Sequence, residues 1–250
     1  MEKKEPEKLL SLIGHLEDLR WTIISSLIYV LAGTLVSAAF CTRILKFVKA
    51  PAAGLVTSFI VTKPTETVIV YFKLSIYLGV VVSLPFVVRR LWIFVKPALG
   101  ESAPKNIYIW FLGIIGLFVT GTLFTYYVLL PFALEFLISI SKEVAVPMFS
   151  LNSYVSFVLA LLVAGGITFE MPVVSAFLTS IGVLTPAFMR RKWKEAYFAM
   201  AVFAAVITPT TDVFNMMLFF VPMLALYELS IFTSYLAMKR TAQVPEDYNV

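Results

Sequence analysis

The chain has 250 residues, of which 60% are hydrophobic and only 14% are charged. A soluble domain of this size is about half apolar and a quarter charged, so this composition excludes an ordinary soluble fold. The formal net charge of +5 is small, and the absence of a basic stripe argues against nucleic-acid binding. Cys41 is the only cysteine, so no disulfide can form within the chain.

Long apolar runs dominate the sequence, and we interpret them as membrane helices. Lipid offers the backbone no hydrogen-bonding partner, so a run that crosses the membrane must form a helix. Six runs occupy residues 21–41, 68–88, 107–131, 154–183, 196–207 and 213–238. The sequence therefore predicts an all-α, polytopic membrane protein with six spans in one domain that covers residues 1–250.

Helix length and proline positions predict an uneven bundle. The run 196–207 gives only about 18 Å of helix, against a hydrocarbon core of about 30 Å, and we expect the last two helices to be short. Pro85 and Pro172 each remove a helical hydrogen bond, and Pro51 bends the first loop. We therefore predict kinked helices that form a curved, concave wall.

The distribution of lysine and arginine predicts the orientation. Segments on the N-terminal side of the membrane hold fourteen of them and the opposite segments hold five. Cytoplasmic loops carry the excess of basic residues, so both termini are predicted to lie in the cytoplasm. The five on the opposite side are Arg43, Lys46, Lys49, Lys63 and Lys142, which makes the first outer loop more basic than the rule favours.

Glu170 is the most informative charge inside a span, because apolar sequence surrounds it on both sides. A charge at the bilayer centre costs about 2.5–3.5 kcal/mol on insertion scales, so Glu170 must face protein or water or be protonated. It is either a functional group or a protonated side chain hydrogen-bonded inside the bundle. Asp212, at the turn before the last run, is either a helix cap or a site residue. Glu228, in the last run, is interfacial or paired.

No catalytic set, metal-ligand spacing or phosphate-binding loop is present, so we predict a protein that is not an enzyme and needs no cofactor or metal. A proton-coupled secondary transporter with Glu170 as its titrating group is one alternative. A structural membrane scaffold is a weaker one.

Several separated blocks carry a family resemblance from about Leu10 to Met238. The first is the motif His15-Leu16-Glu17-Asp18-Leu19-Arg20, just before the first apolar run. The later blocks are Ala50-Pro51, Phe72-Lys73-Leu74 with Pro85, Leu91 to Leu99, Phe169-Glu170-Met171-Pro172, Ile207-Thr208-Pro209 and Asp212-Val213-Phe214. In this order they resemble the TatC family, the signal-peptide receptor subunit of the twin-arginine (Sec-independent) protein translocase.

The resemblance implies a location and partners. It implies a multi-pass protein of the prokaryotic cytoplasmic membrane that binds signal peptides with consecutive arginines at the cytoplasmic face. It also implies assembly with single-span partners of the TatA and TatB type, and export of folded proteins driven by the proton-motive force. Membership in a larger complex, with a possible homo-oligomer, follows from the same resemblance.

The resemblance also implies residue roles. It assigns signal-peptide binding to Asp18, Glu17, Glu101, Phe94 and Arg20. It assigns contact with a partner helix to Glu170, Thr208 and Asp212.

Two positions depart from the family pattern. The family's loop glutamate is replaced by Ala103, and Glu101 comes two residues earlier. Arg89-Arg90 also stands where the family often has Tyr-Gln. Either the loop rearranges to present Glu101, or Asp18 and Glu17 carry more of the recognition.

Overall fold

Helices make up nearly all of the described chain. The computed structural model describes residues 4–56, 58–99, 107–144, 148–208 and 213–242. The helices are α1 Lys4–Ala38, α2 Cys41–Lys49, α3 Glu66–Leu99, α4 Ile107–Phe124, α5 Leu130–Val144, α6 Leu151–Phe169, α7 Met171–Ser180, α8 Pro186–Arg191, α9 Trp193–Ile207 and α10 Val213–Ala242. Two short parallel strands, β1 Phe59–Ile60 and β2 Phe149–Ser150, pair with each other. The prediction of an all-α polytopic membrane protein is confirmed.

Five segments in the described residues are long and apolar enough to cross a membrane. They are Leu16–Ala38, Glu66–Pro97, Trp110–Glu143, Leu151–Ser180 and Val213–Lys239. The fifth predicted run forms α9, whose 15 residues give about 22 Å of helix. This length is below the bilayer core of about 30 Å, so the count of six spans stays a prediction.

The last helix corrects one expectation. We expected both α9 and α10 to be short, but α10 has 30 residues, or about 45 Å of helix. The predicted run 213–238 is itself 26 residues, about 39 Å of helix, and α10 adds only four more residues, so α10 is longer than the bilayer core. Only α9 is therefore short.

The chain divides into two compact units, and the prediction of one domain stays a prediction. The first unit contains α1 with Cys41 and the part of α3 from Tyr71 onward. Here α1 and α3 run antiparallel and approach closely at Gly33 and Gly79, where a Cβ on Gly33 would lie 2.6 Å from the Gly79 carbonyl oxygen. Such small residues allow two backbones to meet inside a membrane.

The second unit contains α2, both strands, the first turn of α3 and all of α4 to α10. The helices α4 and α5 are continuous through a π-helical turn at Thr125–Leu129, just before Pro131. Close packing between α4 and α6 depends on glycine, because a Cβ on Gly121 would lie 2.6 Å from the Gly165 carbonyl oxygen. Along α10, the hydroxyl of Thr233 donates to the Pro172 carbonyl of α7 at 2.8 Å, and Thr179 bonds Ser234.

The predicted proline kinks have different outcomes. At Pro172 the helical run is interrupted, because α6 ends at Phe169 and α7 begins at Met171. Pro85 lies inside the continuous helix α3. Pro51 lies in the 3-10 turn Ala50–Ala52 that directly follows α2.

The glycine crossing in the first unit gives a direct stability test. A Cβ on Gly79 would lie 2.6 Å from the Thr34 amide nitrogen and 2.7 Å from its Cα, so Gly79→Ala must push the two backbones apart. Overpacking of this kind costs about 1–3 kcal/mol. We expect the thermal unfolding midpoint in detergent to fall by several degrees.

Gly116→Ala is the matched control, because no atom lies within 4 Å of its added Cβ. Alanine is the better helix former by about 1 kcal/mol, so this variant should unfold at an equal or higher temperature. A Gly79→Ala midpoint equal to that of the control would contradict the close crossing.

Candidate functional site

The acidic motif lies on the first helix, at the start of its apolar part. Because α1 extends from Lys4 to Ala38, Glu17, Asp18 and Arg20 are all helical residues, and all three are exposed. Glu17 and Arg20 are three residues apart and share a face, whereas Asp18 is rotated by about 100°. No ion pair occupies any of the three among the described residues. Both carboxylates are therefore available to a ligand.

The packing of α1 against α3 places Phe94 level with Asp18. Three contacts define the antiparallel register: Cys41 with Ser75, Gly33 with Gly79, and Tyr29 with Phe86. Asp18 lies 15 residues before Gly33, and Phe94 lies 15 residues after Gly79. Each is about 22 Å from the crossing along its own helix. The two residues, which the family resemblance selected separately, thus share one level of the first unit.

The two unexpected arginines lie one helical turn deeper than this level. Arg90 is level with Thr22 in the same register, and Thr22 is buried. Arg89 is exposed, whereas Arg90 is half-buried and its Nε makes no hydrogen bond within the described residues. Glu101 and Ala103 lie outside the described residues.

Glu170 lies at the break between α6 and α7. Both of its carboxylate oxygens are buried and accept no hydrogen bond within the described residues. The Phe118 backbone lies near the carboxylate.

Two threonines, Thr168 in α6 and Thr125 in the π-helical turn between α4 and α5, also have unsatisfied hydroxyls. Their hydroxyl oxygens are buried, with no hydrogen-bonding partner among the described residues. Thr125 packs against Gly165 across the interface between α4 and α6. Buried polar atoms in native structures are nearly always hydrogen-bonded, so these atoms and the Glu170 carboxylate are candidate positions for a further polar contact.

Thr208 ends α9 and is buried. Its hydroxyl donates to the Ala204 carbonyl at 2.9 Å. Thr208 also lines a small apolar pocket in the second unit, together with Leu129, Ala133, Phe157, Leu161, Asn215, Leu218 and Phe219. Asp212 lies outside the described residues.

The structure adds one carboxylate that the sequence did not single out. Glu66 begins α3 and is buried. Its Oε2 accepts hydrogen bonds from the Thr62 amide at 2.7 Å and the Thr62 hydroxyl at 2.9 Å. Its Oε1 accepts from the Ser150 hydroxyl at 2.5 Å and the Asn152 amide at 2.8 Å. Glu66 thus joins the segment after β1 to the start of α6. The feature of the sequence that could have identified Glu66 is an acidic residue directly before an apolar run.

Glu228 is paired, one of the two interpretations that the sequence left open. The guanidinium of Arg190, in α8, lies 3.0 Å from its carboxylate. The Tyr197 hydroxyl donates to the same carboxylate at 3.1 Å. Both members of the ion pair are well exposed, so it contributes little to stability by itself but joins α8, α9 and α10.

The apolar helices, the exposed acids and the buried intramembrane carboxylate define a polytopic helical membrane protein with polar sites at one surface and within the bilayer. A protein-family model described as Sec-independent protein translocase protein (TatC) matches residues 14–222. The chain belongs to the TatC family.

Individual relatives agree over nearly the whole chain. The TatC protein of Aquifex aeolicus is 35% identical over 93% of this chain and 98% of its own length. That of Koribacter versatilis is 34% identical over 93% of this chain and 88% of its own. A crystal structure of the twin arginine translocase receptor TatC superposes with a TM-score of 0.80 at 36% identity and covers 89% of this chain and 99% of that one. Family membership favours protein translocation over the alternative of a proton-coupled transporter.

The Glu66 network predicts a large effect from a nearly isosteric change. In Glu66→Gln an NH₂ group replaces one acceptor oxygen, so one backbone amide, of Thr62 or Asn152, faces a donor. A buried donor left without a partner costs about 1–3 kcal/mol. We expect the thermal unfolding midpoint in detergent to fall by several degrees, while exposed Glu143→Gln leaves it unchanged. Equal midpoints for the two variants would contradict this role of Glu66.

Proposed function

We propose that this protein is the receptor subunit of a twin-arginine translocase and that it binds the paired arginines of signal peptides through Asp18 and Glu17. The observation that carries the proposal is the pair of exposed carboxylates on α1, in a chain of the TatC family. Neither carboxylate forms an ion pair among the described residues, and Asp18 is level with Phe94. The relative of known structure is a translocase receptor, which supports the same assignment.

The chemistry of arginine suits this surface. A guanidinium group is planar and always charged, and it can donate two parallel hydrogen bonds to one carboxylate. A lysine ammonium group cannot make this bidentate contact, so selectivity for arginine over lysine follows from the geometry. Phe94, at the level of Asp18, offers an aromatic surface to the peptide beside the arginines. Arg20 shares a face with Glu17 and holds positive charge at the helix border.

The distribution of basic residues supports a cytoplasmic location for this surface. With both termini in the cytoplasm, the acidic motif faces the compartment in which signal peptides are made. We place the protein in the cytoplasmic membrane of a prokaryote, where the proton-motive force drives export. We include Glu101 in the proposed site because of its position in the sequence, two residues before the place of the family's loop glutamate.

Glu170, Thr208 and Asp212 are proposed to contact the single span of a partner of the TatA or TatB type. The support from the structure is the unsatisfied polarity at Glu170 and Thr168. A polar group on an entering helix would satisfy these atoms, and interhelical hydrogen bonds stabilise membrane helix pairs by about 0.6 kcal/mol on average. Thr208 lines the pocket at the end of α9, where the helix is shorter than the bilayer core.

Peptide binding tests the recognition proposal. Purified protein in detergent should bind a fluorescent peptide that carries paired arginines, and should bind the paired-lysine version at least tenfold more weakly. Asp18→Asn and Glu17→Gln should each lower the affinity for the arginine peptide about 10- to 100-fold, because a hydrogen bond to a charged group contributes about 1.5–3 kcal/mol.

Glu135→Gln is the control for this experiment, since Glu135 is exposed on α5 in the second unit. It removes the same charge and should leave the affinity unchanged. Equal binding of the two peptides, or equal losses in the control, would reject the recognition site.

Partner contact gives a separate prediction for Glu170. Glu170→Ala should weaken photo-crosslinking of the protein to a single-span partner by severalfold, because it removes the buried carboxylate that is proposed to hydrogen-bond the partner helix. Peptide affinity should stay within twofold of the unmodified protein. Loss of peptide binding before loss of crosslinking would show that the role of Glu170 is wrongly assigned.

A further inference from the structure

The short helix α2 carries most of the basic residues on the predicted outer side of the membrane, where such residues are disfavoured. Arg43, Lys46 and Lys49 all lie within Cys41–Lys49, and they are three of the five basic residues on the predicted outer side. Helix α1 is long and apolar enough to cross a membrane, with a candidate span that ends at Ala38, and α2 begins three residues later. Helix α2 therefore follows the end of α1 that is remote from the acidic motif, where we expect a membrane surface.

The two faces of α2 differ sharply in character. Cys41 and Val48 are buried on the face that packs against the protein. Arg43 and Lys46 lie on the other face and are exposed, and between them and the protein lies Phe47, which is 50% exposed. A helix with cations on its polar face and an exposed aromatic ring is typical of an element at the headgroup level of a bilayer.

Two tyrosine hydroxyls fix α2 to the rest of the second unit. The last four carbonyls of a helix lack partners within the helix. Tyr126 donates to the Phe47 carbonyl at 2.7 Å, and Tyr154 donates to the Val48 carbonyl at 2.8 Å. The Tyr126 ring also stacks on Phe47 with ring centroids 4.3 Å apart. These contacts hold one face of α2 inward, so the cationic face points away from the protein.

No acidic residue in the described part of the chain neutralises this face. The sequence of α2 contains no acid, and within the described residues none of its three cations forms an ion pair. Lys49 lies over the Phe59 ring, 5.0 Å from its centroid, a cation–π contact that adds no negative charge. Two to three uncompensated positive charges at a membrane surface attract the anionic headgroups of that membrane.

The geometry points to α2 as a binding site for anionic phospholipid headgroups of the leaflet opposite the signal-peptide surface. Arg43 and Lys46 bind the headgroup phosphate, and Phe47 contacts the upper part of the acyl chains. Such a site stabilises the first loop after α1. It also gives a physical reason for a basic loop on the side where basic residues are disfavoured.

Lipid titration of the full chain tests this site. Protein in neutral detergent is titrated with phosphatidylglycerol, and bound lipid is counted by native mass spectrometry. Each basic residue near an anionic surface contributes about fivefold in affinity, so Arg43→Gln/Lys46→Gln should weaken the tightest binding step at least tenfold. Phosphatidylcholine and inorganic phosphate should not compete for that step in the unmodified protein.

Arg191→Gln/Lys239→Gln is the matched control, because both side chains are exposed and the change in charge is the same. It should alter the tightest step less than twofold. The charge-retaining exchange Arg43→Lys/Lys46→Arg should bind lipid as the unmodified protein does. This variant shows whether the Gln variant loses binding through its charge or through misfolding. Both Gln variants should still bind the paired-arginine peptide.

Three results would overturn the lipid site. Equal losses in the two Gln variants would mean that net charge alone attracts the lipid. No loss in either would mean that α2 does not bind lipid. A change in oligomeric state without a change in lipid retention would mean that a second copy of the chain covers this face.

Discussion

The hydrocarbon core of a bilayer cannot hydrogen-bond a protein, and this constraint governs both the fold and the sites. Hydroxyl side chains in the spans mostly satisfy themselves on their own helix: Thr34 donates to the Val30 carbonyl at 2.8 Å and Ser230 donates to the Leu226 carbonyl at 2.7 Å. Where two helices pack, hydroxyls such as that of Thr233 reach across instead. Against this background both carboxylate oxygens of Glu170 and the hydroxyls of Thr125 and Thr168 are buried without a hydrogen bond among the described residues, and such groups inside a membrane are places where a further polar contact is expected.

The same constraint gives each candidate site its own chemistry. Glu17 and Asp18 are exposed at the start of the apolar part of α1. Glu170 lies at the break between α6 and α7, with both carboxylate oxygens buried. On α2, tyrosine hydroxyls bond the Phe47 and Val48 carbonyls, and the side chains of Arg43 and Lys46 are exposed. The proposed receptor surface, partner contact and lipid contact each use one of these features.

Much of this could be predicted from the sequence, because apolar runs report directly on lipid burial. The predicted run 68–88 lies inside α3, Glu170 occurs inside a span, and Pro172 marks a real break. The expectation of a short α10 was wrong, because its 26-residue apolar run already gives about 39 Å of helix. The Glu66 network could not be predicted from the sequence, because two of its three donor residues, Ser150 and Asn152, lie 84 and 86 residues away. The level of Phe94 with Asp18 needed the Gly33–Gly79 crossing, which no spacing in the sequence reveals.

The central claim is a direct pairing between the acids of α1 and the arginines of the signal peptide, and a double-mutant cycle measures it. Peptide affinity is determined for the arginine and lysine peptides with both unmodified protein and Asp18→Asn. If the guanidinium and the carboxylate are in contact, the two changes are non-additive, with a coupling of about 1–3 kcal/mol. Strictly additive losses would contradict the account, because they would mean that Asp18 acts on the peptide without touching its arginines.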